Sequence, residues 1–268
     1  MRLLPDAVGL THGELSVTDG PELDRACQQH QPQVVFNCAA YNAVDAAEAE
    51  PDLAYAVNSE GAASVGAAAK HHGVRLVHFS TNFVFDGSLD RPYVESDAAN
   101  PLSVYARSKL EGETRLLAVM RGALVIRTAA LFGDVGSTSK GGSFPERILM
   151  RARNGERLRV VSDQRVNPTY ARDLAQAAVK LAEQDTAGVV HVVAAGCCTW
   201  DEFARATLAE SAVEAAVEAV TSSEFASPAR RPRNGCLGSV RIVALRPWRQ
   251  GLHEWASRRL AGDLYSDT

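Results

Sequence analysis

The sequence predicts an α/β fold in which a parallel β-sheet is covered by helices. Short β-rich runs alternate with helical patterns along the whole chain, as they do when crossover helices join parallel strands. Runs such as "QVVFNCAA" and "VRLVHFS" are apolar almost throughout, as expected of buried strands. The 268 residues, 46% apolar and 22% charged, suffice for a large core in one α/β domain, or in a main domain with a small lobe.

The elements follow in order. "AVGL" (Ala7–Leu10) reads as a short strand, and Gly20–His30 as a helix with Asp19 at its N-cap. Gln33–Ala40 is a buried strand, Asp52–His72 a long Ala-rich helix, and Val74–Ser80 another buried strand. A loop from Asn82 to Asn100 leads into an amphipathic helix, and Ala123–Gly133 is the next strand. Its tail enters the Gly/Ser-rich loop Asp134–Ser143, a lid or a tolerated insertion. Beyond it come a helix (Phe144–Asn154), a strand (Leu158–Val161), a helix (Ala171–Gln184) and a strand (Val189–Val193). Trp200–Val220 reads as one or two helices, Ser227–Gly238 as a basic irregular stretch, and Trp248–Leu260 as a terminal helix.

Composition excludes several classes. A formal net charge of −4 gives no electrostatic case for nucleic acid or a membrane surface, and no apolar run reaches the roughly 20 residues of a spanning helix. The first residues lack the apolar segment of a signal peptide, so a cytoplasmic location is the default expectation. Five cysteines, one pair adjacent, make a poor disulfide framework, and no His/Cys spacing suggests a metal. Cys27 and Cys38 read as core residues, and Cys197 and Cys198 as small buried side chains. Asp86 and Gly87 suit a tight turn. Asp163, Asp173 and Glu95 read as makers of structural hydrogen bonds, and the three tryptophans as packing residues.

The chemistry gathers around "NPLSVYARSKLEGE". On a helix, Tyr105 and Lys109 share one face. A Tyr-x-x-x-Lys match alone is weak, because it arises often by chance. Ser80, Thr81 and Thr128, however, end strands at the carboxyl edge of the sheet, where ligands bind in open α/β folds. A Tyr proton donor, a neighbouring cation that lowers its pKa and a hydroxyl that orients a carbonyl oxygen suit reduction of a ketone. Thr81 as a core hydroxyl bonded to backbone is the plain alternative.

The ordered set "STNFVFDG", "YARSKLEGE", "DQRVNPTYARDLA" and "ARRPRN", together with "NCAAYNAVDAAEAEP" and "NSEG", resembles the extended short-chain dehydrogenase/reductases of the dTDP-4-dehydrorhamnose reductase type. The resemblance runs from about Gly9 to the C-terminal helix. It implies a doubly wound, Rossmann-like parallel sheet over 1–140, to which a strand and helix near 158–193 return, and a smaller, mostly substrate-binding lobe over 141–268. It implies Thr81, Tyr105 and Lys109 as catalytic residues, and Ala39, Ala40, Tyr41, Asn58, Ser80, Tyr105 and Lys109 around NADPH or NADH. Asn82, Phe83, Thr128, Ala130, Pro168, Thr169, Arg230 and Arg231 fall at substrate positions, with Arg230 or Arg231 the partner of a pyrophosphate. The partner implied is a small-molecule nucleotide sugar, and a homodimer is a candidate assembly.

Departures accompany the resemblance. Such reductases begin with a strand and a G-x-x-G-x-x-G turn, where backbone N–H groups and a helix N-terminus hold the pyrophosphate. Here the first strand aligns with the second strand of the family, so the first strand and helix are missing. The expected consequences are a gap in the sheet between "AVGL" and "QVVFNCAA", and dinucleotide affinity weaker by about a hundredfold or more. Asn82 and Phe83 replace a carboxylate and a phenol, Ala130 stands where a Trp is common, and Ala106 replaces a frequent Gly. Two readings remain. One is an NAD(P)H-dependent reductase of a keto group on a nucleotide-linked deoxysugar, which the dyad favours. The other is a non-catalytic, reductase-like binding or regulatory subunit, which the missing turn favours.

Overall fold

A computed structural model describes residues 3–133 and 141–262, so most of the expected Asp134–Ser143 loop lies outside the described residues. Helix α1 (Gly20–His30) starts where Asp19, in extended conformation, accepts the Glu22 N–H at 2.9 Å, the cap expected from sequence. Strand β1 (Val34–Asn37) leads to α2 (Pro51–Tyr55), a π-helical turn (Ala56–Glu60) and α3 (Gly61–His71). Then come β2 (Arg75–Thr81), α4 (Val104–Val119), β3 (Leu124–Thr128) and β4 (Leu131–Phe132). The second half holds α5 (Phe144–Arg153), β5 (Leu158–Val161), β6 (Arg165–Val166), β7 (Thr169–Tyr170), α6 (Ala171–Glu183) and β8 (Gly188–His191). It closes with β9 (Ala194–Ala195), β10 (Cys198–Thr199), α7 (Trp200–Glu210), β11 (Val217–Val220), β12 (Leu245–Pro247) and α8 (Trp248–Leu260).

The main sheet is parallel throughout, in the order β1-β2-β3-β8. Helices cover both faces, as in a doubly wound fold. Leu23 of α1, Val65 of α3 and Leu116 of α4 pack on Leu76 and Val125. On the other face Leu174, Ala178 and Leu181 of α6 pack on Val77, Leu124 and Ile126. A second core in the later half joins Phe132, Leu149, Tyr170, Phe203, Trp248 and Trp255, so two of the three tryptophans are packing residues and Trp200 lies against them.

Several expectations are corrected. Ala7–Leu10 forms no strand, and Val8 is 60% exposed. In the doubly wound order it would lie two strand positions from β1, about 9.5 Å, beyond the reach of any ladder hydrogen bond. The expected gap therefore does not open, and β1 is instead the terminal strand of the sheet. Ala123–Gly133 is not one strand, because Ala130 takes φ 44° and turns the chain so that β4 pairs with β7. Leu158–Val161 does not return to the main sheet; it pairs in parallel with β11, whose residues had read as helix. The return is made by α6 and β8 alone. Cys38 is exposed rather than buried. Cys197 is joined to Cys236 by a disulfide with Cα atoms 6.1 Å apart, a contact between segments 39 residues apart that spacing does not reveal. Cys198 is buried, which pushes its thiol up to about 12 and leaves it inert.

Helix α4 lies unusually close to the π-helical turn. A Cβ on Gly112 would fall 2.0 Å from the Asn58 carbonyl oxygen, closer than any relaxed contact allows. Gly112→Ala should therefore destabilise the protein by about 2–3 kcal/mol. Gly122→Ala, where nothing lies within 4 Å, serves as the control. Equal melting temperatures for the two variants would refute the close approach.

Candidate active site

The carboxyl ends of β1, β2 and β3 meet the first turns of α4. Ser103 caps that helix by accepting the Ala106 N–H at 3.2 Å, and Glu48 accepts the Val104 N–H at 2.8 Å. Four-residue spacing then stacks Tyr105, Lys109 and Glu113 along one face. All three turn toward β2.

Lys109 is 2% exposed. Its Nζ donates to the Phe79 carbonyl at 2.7 Å and lies 3.4 Å from His78 Nε2. Burial holds its pKa down to about 8, although Glu113 and Cys38 favour the charged form. Tyr105 is half-buried, hydrogen-bonds the Thr81 side chain, and packs edge-on against Phe83 with ring centroids 6.0 Å apart. From sequence, Lys109 is expected to lower the Tyr105 pKa. In this geometry burial dominates and raises it, with the Thr81 hydrogen bond opposing. The phenol is a protonated donor at neutral pH. Thr81 Oγ1 also accepts the Phe83 N–H at 3.2 Å.

Glu113 and Arg127 form a buried ion pair beneath this group. Arg127 Nη2 donates to Glu113 Oε2 at 2.6 Å, its Nε lies 3.0 Å from Oε1, and Ser80 Oγ also donates to Oε1. His191 Nδ1 faces the Gly238 carbonyl at 2.9 Å, so Nδ1 carries the proton and Nε2 accepts from Arg127 Nη1 at 3.5 Å. Asn58 fixes the loop after β1: its Oδ1 accepts the Tyr41 N–H at 2.9 Å, and its Nδ2 donates to the Tyr41 carbonyl and to Ser108 Oγ. Ala39 and Ala40 are exposed on that loop.

The expected substrate positions divide. Asn82 is 3% exposed and donates to the Gly235 carbonyl at 2.9 Å, so it braces the 227–238 arm. Thr169 is fully buried, donating to the Asn167 carbonyl and accepting the Ala194 N–H, and Pro168 is buried beside it. Arg231 is bound by Asp45 through contacts of 2.7 and 3.1 Å, which hold the carboxyl down to about 2. Arg230 is exposed, and Phe83 and Ala130 are half-buried. Thr128 Oγ1 is buried and has no hydrogen-bond partner among the described residues. Asp86 is structural, as expected: it accepts from the Ser88 N–H, Tyr93 and Asn100. Asp163, Asp173 and Glu95 likewise make structural bonds, Asp173 with Arg246 and Glu95 with the His191 N–H.

Sequence reasoning missed Asn37, His78, Glu113 and Arg127. Two signals were available. Glu113 continues the Tyr105–Lys109 face by one more turn, and Arg127 is a charge inside an apolar strand, which must be paired.

With this geometry established, the comparisons are specific. A parallel sheet carrying a Thr–Tyr–Lys group at its carboxyl edge defines a reductase-like α/β protein. The RmlD substrate binding domain family matches residues 5–260, and the chain belongs to that family. The spore coat polysaccharide biosynthesis protein SpsK of Bacillus subtilis is 35% identical over 258 residues, covering 95% of this chain and 89% of its own. The dTDP-4-dehydrorhamnose reductase of Streptomyces griseus is 37% identical, covering 91% of this chain and 83% of its own. Among solved structures, the dTDP-4-dehydrorhamnose reductase of Clostridium acetobutylicum superposes with a TM-score of 0.89 at 31% identity, covering 96% of this chain and 93% of that one. The Bacillus anthracis reductase, solved with NADP, also gives 0.89, at 30% identity, covering 93% and 89%. Among the described residues no helix is long and apolar enough to cross a membrane.

The buried amine makes a testable signature. An unfolded chain keeps the Lys109 proton up to the ordinary lysine value of 10.5, whereas the folded chain releases it at about 8. Between those values the unfolded state binds more protons, so stability rises with pH in that window. Unfolding free energies of wild type and Lys109→Met should diverge in favour of wild type as pH rises through that window, by at most about 1.4 kcal/mol per unit. A constant difference there would show that Lys109 is not perturbed.

Proposed function

We propose that the protein is an NAD(P)H-dependent reductase of a keto group on a nucleotide-linked deoxysugar. The observation that carries this reading is the convergence of Thr81, Tyr105 and Lys109 at the carboxyl edge of the sheet, on a fold shared with named dTDP-4-dehydrorhamnose reductases. Tyr105 gives its proton to the ketone oxygen as charge develops there, and Thr81 orients that oxygen. Lys109 holds the amine side of the dyad and the ribose position. When bound, the dinucleotide supplies the hydride.

The residues fit one half of that cofactor. Lys109, Tyr105 and the Asn58-braced loop after β1 suit the nicotinamide ribose. The pyrophosphate half finds no Gly-rich turn among the described residues, and helix α1 opens with Asp19 capping it and Glu22 in its first turn, a start unsuited to an anion. That observation also favours the second reading, a reductase-like binding subunit. For the sugar, Phe83, Ala130 and Arg230 are the expected positions that keep open surface, while Thr128 is buried and Asn82, Pro168, Thr169 and Arg231 brace the walls.

Titration with NADH and NADPH should give dissociation constants well above micromolar, and micromolar binding to either would overturn the weak-pyrophosphate reading. Under saturating cofactor and a nucleotide-linked 4-keto deoxysugar, Tyr105→Phe should lower turnover by roughly 10²–10⁴ while the ring stays packed. Wild-type turnover in that variant would remove Tyr105 as the acid. Absence of turnover in the wild type would support the binding subunit.

A further inference from the structure

Lys109 has buried neighbours that the proposed reaction does not use. Asn37 ends β1, and His78 stands opposite it in the parallel ladder. The two are 6% and 1% exposed. Asn37 Oδ1 accepts the Ala39 backbone N–H at 3.1 Å. A backbone N–H only donates, so this end of the amide is the oxygen and the other end is the NH₂. That NH₂ faces His78 Nδ1 at 3.1 Å, which makes Nδ1 an acceptor. Burial keeps the imidazole neutral by pushing its pKa well below the ordinary value. A neutral ring whose Nδ1 accepts carries its proton on Nε2, the atom 3.4 Å from Lys109 Nζ.

An ammonium has three donors and no acceptor, so a charged Lys109 would set N–H against N–H. A free amine has a lone pair that takes the His78 Nε2–H, while one of its own hydrogens goes to the Phe79 carbonyl. We infer that Asn37 and His78 are a positioning pair: they lock the imidazole proton on Nε2, so that Lys109 meets a donor and is biased toward its free-amine form. The inference rests on the reading of Lys109 as the dyad lysine; with its pKa held down to about 8, the free amine becomes the main form above that pH. The groups facing Lys109 are accounted for. Glu113, one turn further along α4, and Cys38, after β1, favour the ammonium, whereas burial opposes it. Among the titratable side chains of β2 the His78 ring meets the amine, and it meets it with a hydrogen.

Nitrogen NMR tests the pair without any turnover. In the ¹⁵N-labelled chain, long-range ¹H–¹⁵N correlations over the seven histidines should show one ring that stays neutral between about pH 6 and pH 9, with the proton on Nε2. Its signal is assigned by its loss in His78→Gln. Among the four lysines, Lys109 should titrate apart from the rest, near 8. Asn37→Asp supplies an acceptor on both sides, so it should move the ring proton to Nδ1, turn Nε2 into an acceptor and raise Lys109 by about one to two units. The new carboxylate raises Lys109 by its field alone, so the tautomer is the readout in that variant, and a ring proton that stays on Nε2 overturns the inference. A wild-type ring protonated on Nδ1, or Lys109 titrating with the exposed lysines, overturns the inference even if Asn37→Asp fails to fold. These outcomes are independent of activity, so the reductase reading can fail separately.

Discussion

The position of the dyad depends on the buried Glu113–Arg127 pair. Two opposite charges taken out of water are tolerable only when each is fully bonded, and removing one partner of such a pair typically costs about 3–5 kcal/mol. Here Glu113 sits on α4 and Arg127 on β3, Ser80 adds a bond from β2, and His191 extends the contact to β8 and the Gly238 carbonyl. One pair thus ties the helix that carries Tyr105 and Lys109 to three of the four strands and to the C-terminal arm. Its strict demand for partners fixes the register of α4 against the sheet. Non-directional apolar packing would let the helix slide.

A second constraint acts at shorter range. Gly112 lets α4 approach the π-helical turn so closely that Asn58 reaches both Ser108 on the helix and the Tyr41 backbone. The π turn aims the Asn58 side chain out of ordinary helical phase, a use such turns often have near functional sites. The dyad helix is therefore held from below by a charge pair and from the side by a backbone contact. Its Tyr105–Lys109 face is left to point at the strand ends.

Much of this was legible in the sequence, and the limits have physical causes. The buried strands and most helices were visible because burial imposes apolar runs and 3.6-residue periodicity, and the Asp19 cap because its chemistry is local. Thr81, Tyr105 and Lys109 were legible because the sheet topology forces strand ends and one helix face together. Ala7–Leu10 misled because strand propensity says nothing of whether a partner lies within hydrogen-bond distance. Val217–Val220 misled because pairing with β5 overrides an Ala- and Glu-rich helical pattern. The role of Asn82 as a brace, and the Cys197–Cys236 link, depend on where the 227–238 arm lands, which no local signal encodes.

The two halves of the crevice have unequal support. On the α4 side Tyr105, Lys109 and Glu113 are each bonded to atoms of the sheet, and the electrostatics follow from burial: both Tyr105 and Lys109 are pushed toward their neutral forms. On the outer side of β1 the strand is half-exposed, its neighbours Cys38, Ala39 and Ala40 face solvent, and helix α1 opens with Asp19 capping it and Glu22 in its first turn. In the proposed reduction the first half places one protonated phenol and one oriented oxygen at short range, and the proton moves only as hydride reaches the ketone carbon. Tight capture of a dinucleotide needs the second as well, because the pyrophosphate is held by several charge-assisted bonds at once. The placement of the Tyr105 proton donor and the affinity for the cofactor are therefore set by different parts of this fold. Donors that tighten the dinucleotide must act from beyond β1, without disturbing the ion pair that places the dyad.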